Sequence, residues 1–105
     1  MVDSKTTEQL AAAAALLGAV ADPVRLQLIE QLSGGPACVC ELQTDVPIPA
    51  NLLSYHLKVL REAGLIEGNR RGRWIDYSLT EDALSRLHAA LPSVARSVRL
   101  LPLAR

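Results

Sequence analysis

Residues 49–79, PANLLSYHLKVLREAGLIEGNRRGRWIDYSL, change their periodicity halfway along, and that change decides the fold. Over Pro49–Ala63, Leu53, Leu57 and Leu60 recur at three- and four-residue spacing, which marks one buried face of an α-helix. Asn51, Ser54, Tyr55, Lys58 and Glu62 fall on or near the opposite face, and Gly64 is placed to cap the end. From Leu65 the period becomes two. Leu65-Ile66-Glu67 is predicted as a short strand, Gly68–Gly72 as a turn and Arg73–Leu79 as a second strand. A hairpin that follows such a helix reads as a wing.

Upstream, Thr6 with Gln9 three residues on forms a capping box. Leu10, Ala13, Leu17 and Val20 then give a single apolar stripe, and the alanines between them let another helix approach closely. Asp22-Pro23 starts a second helix, with Asp as N-cap and Pro at the first helical position. Its buried face is Val24, Leu28, Ile29 and Leu32, and Gly34-Gly35-Pro36 ends it. A short third helix is expected from about Cys40 to Thr44. Downstream, Thr80 is predicted to cap a fifth helix with Leu84, Leu87 and Leu91 as its stripe, broken by Pro92. Ser93–Leu101 is expected to form one more short helix.

The whole is a mainly α winged helix-turn-helix with a small β-hairpin, expected as one domain over residues 1–105. Within it the reading assigns 6–20 and 80–91 to dimerisation helices, 39–63 to the helix-turn-helix, 65–79 to the wing and 92–105 to a C-terminal tail. With 105 residues, half of them hydrophobic and none of them Phe, the core must be aliphatic. A domain of this size buries only about two-thirds of its unfolded surface. A homodimer is therefore expected, with Leu10, Leu17, Leu84, Leu87 and Leu91 at the interface.

The formal net charge is zero, which argues against a uniformly basic nucleic-acid arm. The distribution is uneven, however. Basic side chains concentrate beyond residue 48, and Arg70, Arg71 and Arg73 lie together in the hairpin, the footprint of a DNA-binding face. Asn51, Ser54 and Tyr55 suit base edges or phosphates, while Lys58 and Arg61 suit phosphates. His56 is a candidate for the same face or for local packing. Trp74 and Tyr77 are expected to anchor the hairpin on the core. The run Leu10–Ala21 is far short of the ~20 residues of a membrane span, and no secretory signal is visible. The expectation is a cytoplasmic chain with no membrane partner, acting on double-stranded operator DNA.

Both cysteines sit at Cys38-Val39-Cys40-Glu41-Leu42. Without a secretory signal they read as reduced thiols. A helix N-terminus favours thiolates, and thiolates select soft ions. In a regular helix two residues this close point about 200° apart. Both sulfurs can meet one ion only where the backbone is extended, so ion binding is expected to compete with helix at Cys38. A reversible disulfide is a further option, against which its small ring counts.

The segments LLGAVADPVRLQLIEQL, CVCEL, LSYHLKVLREAGLI and RGRWIDYSL, in this order and spacing over roughly residues 16–91, resemble the ArsR/SmtB family of bacterial metalloregulators. The resemblance implies a homodimeric repressor that leaves its operator when a metal or metalloid ion binds. The Cys-Val-Cys-acidic-Leu segment is similar to that of arsenite and antimonite sensors. This implies As(III) or Sb(III) as effector at Cys38 and Cys40 and no organic cofactor. Many such sensors carry a third cysteine where this chain has Gln43. Of the fifth-helix zinc and nickel pattern the chain keeps Glu81, and His88 is the only histidine there. Nickel, zinc, cadmium or thiol oxidation remain alternative signals. A small thiol enzyme is a further alternative, opposed by the missing Cys-x-x-Cys and βαβ patterns.

Overall fold

The computed structural model describes residues 5–92. Five helices and three strands follow one another: α1 (Thr7–Val20), α2 (Pro23–Leu32), β1 (Ala37–Cys38), α3 (Val39–Asp45), α4 (Ala50–Glu62), β2 (Ile66–Arg71), β3 (Trp74–Leu79) and α5 (Ala83–Ala89). The strands form one antiparallel sheet in the order β1-β3-β2. The element order is that of a winged helix-turn-helix. The expected helix over 93–101, and most of the tail assigned to 92–105, lie outside the described residues.

Local chemistry sets the helix starts. Thr6 Oγ1 accepts the Gln9 N–H at 3.1 Å while Gln9 Oε1 accepts the Thr6 N–H at 2.8 Å, so two orphan donors of α1 are satisfied reciprocally. Asp22 Oδ1 accepts the N–H groups of Val24 and Arg25 at the start of α2. These bonds hold the Asp22 carboxyl below its ordinary range, the bond from Arg25 acting most strongly.

The core is aliphatic, as composition demands. Leu28, Ile29 and Leu32 of α2, Leu42 of α3, Leu53, Leu57 and Leu60 of α4, and Leu65, Ile66 and Tyr77 of the hairpin region close on one another. Burial of aliphatic surface at about 25 cal/mol per Å² is the main force seating α4.

The hairpin departs from expectation in register and length. β2 runs to Arg71 and the loop is only Gly72-Arg73. Gly72 has φ +64° and no non-glycine residue has positive φ, the pattern of a type II′ turn with glycine at its first central position. Gly68, expected to open the turn, lies within β2 instead. A Cβ there would come within 3.1 Å of Ile75 Cγ2 and Tyr77 Cε1, so glycine serves close packing at that point. Trp74 is 49% exposed because it pairs with Arg71 next to the turn, beyond the reach of the core; of the two aromatics only Tyr77 is buried, alongside Ile66.

Two other boundaries move. Thr80 does not cap α5. Its hydroxyl donates to the Gly64 carbonyl at 2.8 Å, tying the hairpin's exit to the end of α4, and α5 begins after Asp82. The two-residue strand β1 was not expected at all. None of the described helices is, by itself, long and apolar enough to cross a membrane.

Candidate nucleic-acid interface and thiol site

The outer face of α4 follows from its periodicity. Asn51, Ser54, Tyr55, Lys58 and Arg61 are all exposed, Tyr55 by 55%. They recur every three or four residues opposite Leu53, Leu57 and Leu60, and so form one stripe. His56 does not belong to it. It is 6% exposed and sits in the inward row with the leucines, where its Nδ1 faces Arg25 Nη1 at 3.0 Å. As a direct DNA contact His56 is therefore corrected to an inward, structural position. The signal was in the spacing: 53, 56, 57 and 60 are successive positions of one helix face.

Arg70, Arg71 and Arg73 are exposed on the wing. They are not equivalent. Arg71 Nε and Nη2 donate to the two carboxylate oxygens of Asp76 at 2.7 and 3.1 Å, a bidentate pair. That pair holds the Asp76 carboxyl below, and the Arg71 guanidinium above, their ordinary ranges, the direct hydrogen bond being the largest cause in each. It is the only ion pair among the described residues. Lys58, Arg61, Arg70 and Arg73 are thus left with no carboxylate partner there. Asp76 escaped the sequence reading. An acidic residue alternating with Trp74 and Ser78, close after a basic cluster, was the available clue.

Cys38 is buried and Cys40 exposed. Cys38 is the N-cap of α3 with φ −81° and ψ 162°, and α3 starts at Val39. The extended N-cap turns its side chain back towards the first helical turn. The two residues, with Cα atoms 5.3 Å apart, are joined by a disulfide bond. The structure thus holds the pair in its oxidised form, the disulfide that the sequence left as a further option, where reduced thiols were the first expectation. The expectation that the sulfurs meet only where the backbone at Cys38 is extended agrees with this geometry: Cys38 is extended, and α3 begins one residue later. Glu41 Oε1 accepts the Cys38 N–H at 2.8 Å and steadies this geometry. Cys38 also pairs with Asp76 across the β1–β3 ladder, as Ala37 does with Tyr77.

Chemically, the reduced pair offers one ion two thiolates. No group of three His, Cys, Asp or Glu side chains among the described residues is placed to hold a metal ion. Glu81 and His88 on or beside α5 are exposed and belong to no such group. Among the described residues of one chain, the pair therefore offers two sulfur donors with no third protein ligand beside them.

Exposed leucines lie on α1 (Leu10, 56% exposed), on α5 (Leu84, 42%) and just past the end of α5 (Leu91, 50%), which the expected stripe had placed within the helix. Leu17 is half-buried, and Leu87 packs partly against the core of its own chain.

Residues 22–67 match the model of the family described as bacterial regulatory protein, arsR family. The chain is 41% identical over 90 residues to the HTH-type transcriptional repressor SmtB of Mycobacterium tuberculosis, an alignment covering 86% of this chain and 65% of that protein, so it spans less than two-thirds of that relative. It is 37% identical to the arsenical resistance operon repressor of Bacillus subtilis, over 66% of this chain and 67% of that one. Among solved structures it resembles HlyU from Vibrio cholerae, with a TM-score of 0.71, 26% identity and coverage of 90% of this chain and 97% of that one. The chain belongs to the arsR family of bacterial regulatory proteins.

Proposed function

We propose that this chain is a transcriptional repressor that binds double-stranded operator DNA as a homodimer and releases it when As(III) or Sb(III) is held by Cys38 and Cys40. Asn51, Ser54 and Tyr55 read the major groove, and Lys58, Arg61, Arg70 and Arg73 bind phosphates or the minor groove. Arg71 joins them when it leaves Asp76. Leu10, Leu17, Leu84, Leu87 and Leu91 meet their counterparts in the dimer, with Leu87 also packing within its own chain.

The observation that carries the reading is the double role of Cys38. It shares a sulfur site with Cys40 and is a strand partner of Asp76. In the reduced protein each thiol proton leaves with a hydroxide of the trihydroxide as water, and two sulfurs take the ion in their place. The third position keeps the remaining hydroxide, or exchanges it for a small-molecule thiol whose proton carries that hydroxide off as water. Any movement of Cys38 on binding is passed to β3 through a ladder only two residues long, and β3 is half of the wing. A change at the effector site thus reaches the DNA-contacting loop without crossing the core.

The disulfide favours a second reading, thiol oxidation as the signal. Two thiols would lose two protons and two electrons to a two-electron oxidant of the peroxide class, forming the Cys38–Cys40 bond. Titration of the fully reduced protein on a fluorescent operator duplex separates the readings. Release by arsenite or antimonite under strict reduction, and by neither zinc nor nickel, supports the metalloid reading. Release by peroxide alone supports the oxidative one.

A further inference from the structure

Arg25 occupies the corner between α1 and α2, helices bent by 86° from one another. Its Nε donates to the Ala19 carbonyl at 2.6 Å, and its Nη1 donates to His56 Nδ1 at 3.0 Å. Guanidinium has no acceptor, so Nδ1 must be the bare ring nitrogen and the neutral ring carries its proton on Nε2. The Arg25 backbone is fixed in turn, its N–H donating to Asp22 Oδ1 at 3.2 Å. The Ala19 carbonyl is one of the last four of α1, which lack intrahelical partners. α1 has no basic residue in its last turn, and Arg25 supplies that cation from α2. One guanidinium thus joins the end of the helix bearing the exposed Leu10 to the buried side of α4.

We propose that Arg25 is a positioning residue that couples the dimer helices to the recognition helix, and so sets the spacing between the two half-sites a dimer can read. This rests on the DNA-binding reading above. A helix-turn-helix dimer reads half-sites about one turn of DNA apart, so its spacing preference is only as sharp as each recognition helix is fixed relative to the dimer axis. The leucines of α4 set its depth, but apolar contact is non-directional and leaves roll and slide soft. Two directed hydrogen bonds from one planar group remove that freedom. A lysine, with a single compact ammonium on a flexible stem, does not reproduce the bridge.

The test uses a duplex enriched from a random pool by the wild-type chain, then remade with its centre lengthened or shortened by one base pair. Wild-type affinity should fall about tenfold on the altered spacings, a cost like that of a mismatched base pair. Arg25→Ala should bind all spacings within about threefold of one another, with an unchanged salt slope because no phosphate contact is lost. His56→Asn, which keeps an acceptor near the Nδ1 position, should retain the wild-type preference, and His56→Leu should lose it. A folded, dimeric Arg25→Ala chain with wild-type spacing preference overturns the proposal. So does a His56→Leu chain with that preference, should Arg25→Ala fail to fold. A wild-type chain that enriches no duplex overturns the DNA reading and this proposal together. The Arg25–His56 link is then read separately from the His56 ring nitrogens by NMR: a bare Nδ1 whose resonance moves on Arg25→Ala upholds it, and a proton on Nδ1 or an unmoved resonance overturns it.

Discussion

Cys38 lies across the sheet from Asp76, and Asp76 holds Arg71 in a bidentate ion pair on the wing. Directly opposed residues project from the same face of a sheet, and Arg71, two positions along β2 from the residue paired with Asp76, projects there too. The thiol site and one wing cation are therefore separated by a single carboxylate.

On the proposed DNA-binding reading, that carboxylate restrains the wing's grip on DNA. Asp76→Asn removes the charge that occupies Arg71 and adds a phosphate-seeking cation to the exposed Arg70 and Arg73. Operator affinity should rise severalfold at low salt, and the slope of log affinity against log salt should steepen by about one, the signature of one more neutralised phosphate. An unchanged slope would mean that Arg71 faces away from DNA.

The same pair gives a pH dependence of known sign. Because Arg71 depresses the Asp76 carboxyl, the pair is complete above the ordinary carboxylate value of about 3.9 and is lost as pH falls through the lower native value. The Asp76 carboxyl carbon and Arg71 Nε resonances should move together in acid below that value and stay flat from pH 5 to 8. A transition within the flat range would contradict the pairing.

On α4, Lys58→Ala should weaken binding to every duplex alike and lower the salt slope by about one, whereas Asn51→Ala should cost about 1–3 kcal/mol on the preferred sequence and little elsewhere. Competition binding against operator and scrambled duplexes reads both. Equal loss on both duplexes for Asn51→Ala would assign it to the backbone.

Dimerisation is best tested away from the core. Leu87 packs within its own chain, so its replacement confounds folding with assembly. Leu84 and Leu10 are exposed, and Leu84→Glu or Leu10→Glu should give a folded monomer by sedimentation. Leu57→Ala is the contrasting core change. It should cost about 2–5 kcal/mol in denaturant unfolding, because it empties a site at the centre of α4 packing.

What the sequence disclosed was local. The reciprocal cap at Thr6 and Gln9, the Asp22-Pro23 start and the leucine stripe of α4 each depend on residues a few positions apart, and each appears in the structure. What it hid was non-local. β1 exists because Ala37 and Cys38 meet Tyr77 and Asp76 nearly forty residues on, a pairing no short window contains. Arg25 and His56 are 31 residues apart, and without that partner the imidazole stands open between a DNA contact and local packing. The hairpin loop is shorter than its glycines suggest, because glycine marks both turns and close packing, and Gly68 serves the second.

We propose Cys38 and Cys40 as the effector site of a DNA-binding switch. Operator release by arsenite and antimonite, in reducing buffer, tests this on the wild type, Cys38→Ser and Cys40→Ser. Serine keeps the shape but is a poor ligand for a soft ion. The expected result is wild-type operator affinity in all three proteins and release in the wild type alone. Release of both serine variants with wild-type sensitivity would contradict the claim and move the sensor elsewhere in the chain.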